Sequence, residues 1–284
     1  MLEKPLTILI IGSIAWDEII SLPEPLRTGT HNTGRKIEIR IGGGAANTAL
    51  ALVGMSPMES AGALPIVVSA VGEDAEGTRL VNALDELGVG VERIGRQGKK
   101  TTHSLVLIDQ DGERTVINLA RTPVSPPSDL ADIPADCCYV RSADPVLQSV
   151  LAERVRHGLV IAHIPPTTEG SRPAQVLVGS ASDLEEEFLA DPFPAGQRIA
   201  GSFLKWVVIT FGPDGAIAYG EGMSLREPAP RVPVQDTTGA GDAFAGGLAF
   251  ALSRGEEMPS ALKTAVRWGS ESVRYYGTIP PHLR

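Results

Sequence analysis

A glycine-rich loop that runs straight into an alanine-rich apolar segment restricts the fold of this chain more than any other stretch. Residues 234–252 read VQDTTGAGDAFAGGLAFAL, with Gly239 and Gly241 in the loop and a helical pattern after them. The first N–H groups of a helix have no partner within it and lie at the positive end of its dipole. The stretch therefore predicts an anion-binding site at residues 239–242.

Asp242 stands at the edge of this predicted anion site, where its charge would repel a bound phosphate. A carboxylate within reach of an attacking hydroxyl is the general base that phosphoryl transfer uses. The alternative is an N-cap, since Asp caps helices well and Thr237 and Thr238 are suited to the same role. The loop taken alone leaves both interpretations open.

Three stretches, in order along the chain, resemble the signatures of the pfkB, or ribokinase-like, carbohydrate kinases. DTTGAGDAFAGGL at 236–248 resembles the C-terminal signature, and IGGGAANTALAL at 41–52 resembles the N-terminal one. Between them, VGEDAEGTRLVNALDELGV at 71–89 is similar to the family's G-x-D-x-x-G stretch. The resemblance covers nearly the whole chain.

The family resemblance implies a ribokinase-like three-layer αβα sandwich with a mostly parallel sheet and a small β-sheet lid. It implies one kinase domain over residues 1–284, with the lid drawn from about 13–41 and 99–121. The lid would exclude water, which competes with the acceptor for the phosphoryl group.

Hydrophobic periodicity predicts individual elements of such a fold. The apolar run Leu6–Ile11 is typical of a strand buried on both faces. KIEIRI at 36–41 alternates, which predicts a half-buried strand with its isoleucines on one side. Residues 104–118 predict two strands joined by a turn at 109–112, and 206–219 predict another strand pair.

The rest of the chain alternates between strand and helix patterns. A strand from Pro65 precedes a helix with a Leu80, Leu84 and Leu87 stripe, which Asp74 would cap. Val89 and Val91 are predicted to begin the next strand. Further predicted elements are short strands at 136–140, 159–164 and 175–178 and a last helix at 258–277, with proline-rich loops at 123–127 and 165–166.

The acceptor side of the site is predicted near the first strand and the Gly42–Gly44 run. Asp17 follows the carboxyl end of a strand, where α/β sheets bind ligands, although a solvated turn residue would occupy the same place. The glycine run allows a ligand to approach the backbone, and Asn47 offers both a donor and an acceptor. The resemblance implies that Asp17, Gly42, Gly43 and Asn47 contact the acceptor.

The resemblance also implies roles for the C-terminal loop. Asp242 would be the base, and the backbone of Gly239, Ala240 and Gly241 would form an anion hole. Residues implied to bind the nucleotide are Thr210, Gly212, Asp236, Thr238, Gly239 and Gly241. For Asp236, contact with phosphate-bound cations and a role in structuring the turn remain open.

ATP and Mg²⁺ are the implied cofactors, and a monovalent cation is a further candidate. Many family members carry an N-x-x-E pattern that helps hold hydrated magnesium. Here Ser180 and Asp183, or on a shifted alignment Ser182 and Glu185, take those places, so the Asn is absent. Asp183 or Glu185 would act through water, because Mg²⁺ retains several waters. A capped acidic first turn of an ordinary helix explains the same letters.

Composition excludes several other classes of function. The net charge is −9 and no basic run occurs, which argues against nucleic-acid and anionic-membrane partners. No segment approaches the ~18 apolar residues of a membrane span, and residues 1–4 begin a poor signal peptide, so a cytoplasmic protein is expected. The adjacent Cys137 and Cys138 fit a packed thiol pair rather than a disulfide framework or a four-ligand metal site.

No competing catalytic motif is present. The sequence lacks H-E-x-x-H, G-x-S-x-G and the P-loop pattern, so nucleotide binding must use the 239–242 loop. The expected activity is transfer of the γ-phosphoryl group of ATP to an alcohol of a sugar or sugar derivative. A nucleoside kinase of the same fold, or a non-catalytic sugar- or nucleotide-binding relative, remains an alternative. Exposed apolar lid edges would favour a homodimer through the lid.

Overall fold

The computed structural model describes residues 4–56, 62–110, 114–124, 127–142, 144, 146–164 and 172–283. Within these ranges, strands and helices alternate over most of the chain. In chain order they are β1 (Leu6–Ile11), β2 (Ala15–Ser21), β3 (Arg35–Gly42), α1 (Gly44–Met55), β4 (Ala63–Val71), α2 (Ala75–Glu86), β5 (Ile94–Arg96), β6 (His103–Ile108), β7 (Arg114–Ala120), β8 (Cys137–Val140), α3 (Leu147–His157), β9 (Leu159–His163), β10 (Val176–Ser180), α4 (Glu186–Ala190), α5 (Pro192–Ala200), β11 (Trp206–Thr210), β12 (Ala216–Gly220), β13 (Met223–Glu227), α6 (Ala240–Ser253) and α7 (Met258–Ser272).

Nine strands form the central sheet, in the order β13-β12-β11-β10-β9-β8-β1-β4-β5. The strands from β11 to β5 pair in parallel, and β12 is antiparallel to both of its neighbours. Parallel strands buried on both faces are expected to be almost continuously apolar, as β8 is and as β1 is from Ile8 to Ile11. The carboxyl ends of seven strands therefore meet at one edge of the sheet.

Helices cover both faces of this sheet. Alternate residues of β1 point to opposite sides, so Ile8 and Ile10 pack with α1, α2, α6 and α7, while Leu9 and Ile11 pack with α3, α4 and α5. The result is the predicted three-layer αβα sandwich with a mostly parallel sheet. Cys137 and Cys138 are both buried free thiols, one in each apolar layer.

A second sheet, in the order β3-β2-β6-β7, forms the lid. Cross-strand register places Asp17 opposite Arg40 on one side and beside Ser104 on the other, and Ser104 opposite Asn118. Residues opposite one another lie on the same face. We call this face, with Arg114 at its end, the inner lid face. Its strands come from residues 15–42 and 103–120.

Two features of the lid strand β3 differ from the sequence prediction. Ile37 and Ile39 were expected on a buried side, but they are 49% and 44% exposed, because no described layer covers that face. Arg40, expected on the solvent side with Lys36 and Glu38, has a side chain only 10% exposed. β3 does alternate between apolar and polar side chains. However, its polar side, at Arg40, faces the rest of the molecule, and Ile37 and Ile39 face outwards.

The segment after α2 also differs from its prediction. Val89 and Val91 were expected in a strand, but the strand β5 begins only at Ile94. Gly88 has φ +84°, and the Val89 N–H closes the helix end by donating to the Leu84 carbonyl at 3.0 Å. Val89 is therefore used to terminate α2. Gly90 forms only an isolated bridge with Ile66.

The other predicted elements agree with the structure within a few residues, whereas β2, α3, α5 and β13 were not predicted individually. Asp74 caps α2, with its carboxylate accepting from the Gly77 N–H at 2.9 Å. The predicted turn at 109–112 and the proline-rich loops at 123–127 and 165–166 lie partly or wholly outside the described residues. In the part of the chain described, no helix has both the length and the apolar character of a membrane span.

Candidate active site

The predicted anion loop lies between β13 and α6 and is in contact with the lid. Gly239 has φ +77°, in the left-handed region that favours glycine, and is the N-cap of α6. The Ala240 N–H donates to the Thr237 carbonyl at 3.3 Å, so this group is used within the turn. The N–H groups of Gly241 and Asp242 belong to the first turn of α6, which has no intrahelical partners for them. A Cβ at Gly241 would meet nothing within 4 Å, so the space above this turn is open.

Asp242 lies inside the first turn of α6 and is only 9% exposed. The Asn47 Nδ2 group donates to Asp242 Oδ2 at 2.9 Å, and Arg141 Nε lies 3.3 Å from Oδ1. The N-cap is Gly239, without a side-chain hydrogen bond, so the N-cap interpretation of Asp242 is wrong. Its carboxylate is instead held by two side chains from distant parts of the chain.

The glycine run before α1 is packed closely against its surroundings. A Cβ at Gly42 would overlap the Asp17 carboxylate, and one at Gly43, where φ is +89°, would lie 2.5 Å from the Ser13 carbonyl oxygen. Gly43 is also the N-cap of α1. Only glycine therefore allows β3, the end of β1 and α1 to meet here, which brings Asp17 and Asn47 to one site.

Asp17 lies on the inner lid face in a desolvated environment. Burial raises the pKa of its carboxyl, although the charge of Arg40 and a hydrogen bond from Ser104 act in the opposite direction. Asn47 is 9% exposed, and among the described residues its Oδ1 atom has no hydrogen-bond partner. An unsatisfied buried acceptor next to Asp242 is suited to receive a hydroxyl donor from a ligand.

Asp236 opens the anion loop and is surrounded by donors. The backbone N–H groups of Thr238 and Gly277 donate to it at 2.8 and 3.0 Å, and Arg40 Nη1 lies 3.1 Å from Oδ2. Burial acts to raise the pKa of Asp236, but these hydrogen bonds and Arg40 outweigh it and lower the pKa to about 2. Asp236 thus structures the turn and forms an ion pair with Arg40.

The inner lid face contacts the anion loop through two arginines. Arg40 Nη2 donates to Thr238 Oγ1 at 3.1 Å, and Arg114 Nη1 donates to the same oxygen at 2.7 Å. These contacts hold the lid against the loop that precedes Asp242.

Nearly the whole chain matches the model of one protein family. The model of the pfkB family carbohydrate kinases matches residues 6–160 and 173–283. This chain belongs to the pfkB family. It is accordingly a carbohydrate kinase by family, as the sequence resemblance predicted.

Individual members of the pfkB family align along almost the full chain. A ribokinase from Lactococcus lactis is 27% identical over 286 residues, covering 94% of this chain and 91% of the relative. A nucleoside kinase from Methanothermobacter thermautotrophicus is also 27% identical, covering 95% and 90%. The structure of Arabidopsis thaliana ribokinase complexed with ribose and ATP has a TM-score of 0.79 at 21% identity, covering 97% and 96%.

In this pfkB-family chain, the residues predicted for the nucleotide lie at two places. Thr210 ends β11, and its hydroxyl donates to the Gly179 carbonyl at 3.4 Å. Gly212, with φ +54°, opens the short 3-10 turn that follows. Asp236 and Thr238 lie together in the anion loop. Among the described residues no hydrogen bond or ion pair joins the two places.

The predicted magnesium ligands of this pfkB-family chain are exposed. Asp183 ends a 3-10 turn after β10 and accepts a hydrogen bond from Ser182 Oγ at 3.1 Å, and its charge acts on Arg141 and His163. Glu185 is the N-cap residue of α4, without a side-chain cap. Within the described ranges, no three His, Cys, Asp or Glu side chains cluster as metal ligands. The exposed carboxylate of Asp183, after the carboxyl end of β10, fits a hydrated Mg²⁺ that is held mainly by phosphates.

Sequence reasoning missed Arg141, Arg40 and Arg114. Arg141 directly follows β8, and the strand-end rule that singled out Asp17 would have found it. Burial acts to lower the pKa of Arg141, but the charges of Asp242 and other neighbours outweigh it, so the pKa is raised. No signal in the sequence pointed to the two lid arginines, because their role depends on how the lid meets the loop.

Proposed function

We propose that this chain transfers the γ-phosphoryl group of ATP to an alcohol group of a sugar or sugar derivative, with Asp242 as the general base. The observation that carries this proposal is the position of Asp242. Its carboxylate is buried in the first turn of α6, next to the free N–H groups of the anion loop, and is oriented by Asn47 at 2.9 Å. A merely structural carboxylate would not need an adjacent anion site.

In the proposed reaction, the acceptor hydroxyl oxygen attacks the γ-phosphorus while Asp242 takes the hydroxyl proton. A new P–O bond forms, the bond between the γ-phosphorus and the bridging oxygen breaks, and ADP leaves. The N–H groups of Gly241 and Asp242 face the charge that develops on the transferring group. One such donor is often worth about 3 kcal/mol in the transition state.

The acceptor is oriented by the residues around the glycine run. Asp17 accepts hydrogen bonds from acceptor hydroxyls, the Gly42–Gly43 backbone allows close approach, and Asn47 Oδ1 receives a further donor. Holding the attacking hydroxyl in a fixed position lowers the activation free energy of the transfer, because the entropy of bringing the reactants together is lost on binding. The lid, held to the loop through Arg40 and Thr238, excludes water from the same space.

ATP is supported as the donor by fold relatives, among them the ribokinase complexed with ribose and ATP. ATP is proposed to bind at Thr210, Gly212 and the loop from Asp236 to Gly241. Mg²⁺, when bound, neutralises phosphate charge, and Asp183 is the residue best placed to hold it through water. An ATP-consuming enzyme of this kind is expected in the cytoplasm.

A nucleoside acceptor is the second candidate. The relative from Methanothermobacter thermautotrophicus is a nucleoside kinase and is as similar to this chain as the Lactococcus ribokinase, at 27% identity each. A sugar hydroxyl is the attacking group in either case, so the same base and anion loop would serve.

The proposal is tested by measuring ADP formation with Mg²⁺-ATP and a panel of sugars, sugar phosphates, sugar acids and nucleosides. We expect ADP release that depends on one class of acceptor, with the phosphorylated acceptor identified by mass spectrometry. If ATP binds but no acceptor in the panel is phosphorylated, the chain is a binding protein of the same fold and the proposed activity is wrong.

A further inference from the structure

We propose that the acceptor carries an anionic group, a phosphate or a carboxylate, and that Arg141 binds it. This inference rests on the proposed kinase function and names the chemistry of its acceptor. The guanidinium of Arg141 has hydrogen-bond donors without a partner among the described residues. Arg141 uses only Nε, at 3.3 Å from Asp242, and the described residues provide no partner for its two Nη groups.

The backbone is shaped around this side chain. A Cβ at Gly44 would lie 2.7 Å from Arg141 Cγ and 2.9 Å from Nε, and one at Gly12 would lie 3.0 Å from Arg141 Cβ. The Arg141 N–H also donates to the Ile11 carbonyl at 2.7 Å. Its side chain is therefore held between the end of β1 and the start of α1, with 34% of its surface still exposed.

This location belongs to the acceptor half of the site. Gly42 and Gly43 directly precede α1, the helix that Arg141 packs against, and Asn47 lies in its first turn. Asn47 and Arg141 bind the two oxygens of one carboxylate. Thr210, proposed for the nucleotide, ends a strand three positions away in the sheet, or about 14 Å at the usual strand spacing. We assign the anion at the free Nη groups to the acceptor. The other anion that the proposed reaction brings to Asp242 is the γ-phosphate of ATP, and the ATP affinity of R141M distinguishes the two.

Arg141 also supplies positive charge to the neighbouring residues at the carboxyl ends of the strands. Burial and the charge of Arg141 lower the pKa of the neighbouring His163 to about 4, so His163 is neutral near pH 7. The edge formed by the two unused Nη groups matches the two oxygens of a carboxylate or phosphate. A neutral sugar would leave this partly buried group with one monodentate ion pair.

The test compares neutral and anionic members of matched pairs. Fructose and fructose 6-phosphate form the phosphate arm, and glucose and gluconate form the carboxylate arm. Binding is measured by calorimetry and, in the presence of Mg²⁺-ATP, by kcat and KM for each compound. Variants are R141M, R141K and the control R156M, which removes an exposed arginine of α3 whose side chain is 60% exposed.

We expect the native protein to favour the anionic member of at least one pair by about 100-fold. R141M should abolish that preference, R141K should retain part of it, and R156M should keep all of it. Because R141M also removes an ion pair from Asp242, kcat is expected to fall for every acceptor, and the ratio between pair members is the deciding quantity.

Three results would overturn the inference. They are equal affinity for the neutral and anionic members, an equal loss for both in R141M, and a loss of ATP affinity in R141M without a change in acceptor preference. An anion preference in binding that disappears in R141M, with no phosphorylated product from any compound, would support the Arg141 site while contradicting the kinase proposal.

Discussion

Single carboxylates determine how this site is expected to work, and Asp17 is the clearest case on the acceptor side. It lies against the Gly42 backbone on the inner lid face, opposite Arg40. Its environment is desolvated, so hydrogen bonds to it are stronger than they would be in water.

Replacing Asp17 with Ala should therefore raise the acceptor KM by about 10- to 100-fold, the usual effect of losing hydrogen bonds to a charged group. The KM for ATP should change less than about twofold, because the loop is untouched. The control is D85A, on the exposed side of α2. Equal increases in both KM values would mean that Asp17 does not bind the acceptor.

Asp236 gives a prediction on stability and pH. Its folded pKa of about 2 lies below the ordinary value of 3.8. Its contribution to stability is therefore present above about pH 4 and is lost as the pH falls towards 2. The difference corresponds to about 2 kcal/mol.

Urea unfolding of the native protein and of D236N between pH 2 and pH 6 measures this contribution. The free energy of unfolding of D236N should lie below that of the native protein near pH 6, and the two should converge as the pH approaches 2. Parallel curves over the whole range would contradict the assigned hydrogen bonds.

At the residue scale, the motif residues were predictable because their chemistry is encoded locally. Gly43 and Gly239 need positive φ, and Asp242 is placed by the helix that its own loop begins. Arg141 and Arg40 act through contacts with residues 101 and 196 positions away, respectively. Their reach depends on the assembled sheet and lid, which local sequence does not specify.

Among the elements, the lid strands show most clearly that an alternating pattern does not predict which face of a strand is buried. The alternation of β3 predicted a strand with one apolar side, and it is a strand, but Ile37 and Ile39 are exposed. Ile117 and Leu119 of β7 are exposed as well, at 43% and 58%. Period-two alternation identifies two faces but does not say which layer, if any, covers each of them.

We call the opposite side of this sheet, with Ile39 and Ile117, the outer lid face, and we expect a second copy of the chain to cover it. Exposed apolar strands at a sheet edge favour pairing, and homodimers are the commonest closed assembly. In light scattering the native protein should have the mass of a dimer, and Ile39→Glu should shift it towards the monomer. Val146→Glu, at a 64% exposed valine next to α3, is the control. A monomeric native protein at high concentration would contradict this expectation.

For the whole molecule, the fold followed from the order of its patterns. Apolar runs alternating with amphipathic helices predict a parallel sheet covered on both sides, and the family signatures supplied the lid. The site lies where such sheets bind ligands, at the carboxyl ends of the strands. The antiparallel end of the sheet was only partly predicted, because β13, MSLRE, has only one partly buried apolar side chain, Leu225.

The central claim is that Asp242 removes the proton of the attacking hydroxyl. The most direct test is a single-turnover measurement of phosphoryl transfer by the native protein, D242N and the control D85N, together with ATP binding by calorimetry. We predict that D242N loses about 100- to 10,000-fold in the rate of transfer while its ATP affinity stays nearly unchanged, and that D85N behaves as the native protein. Transfer by D242N at the native rate would show that Asp242 is not the base.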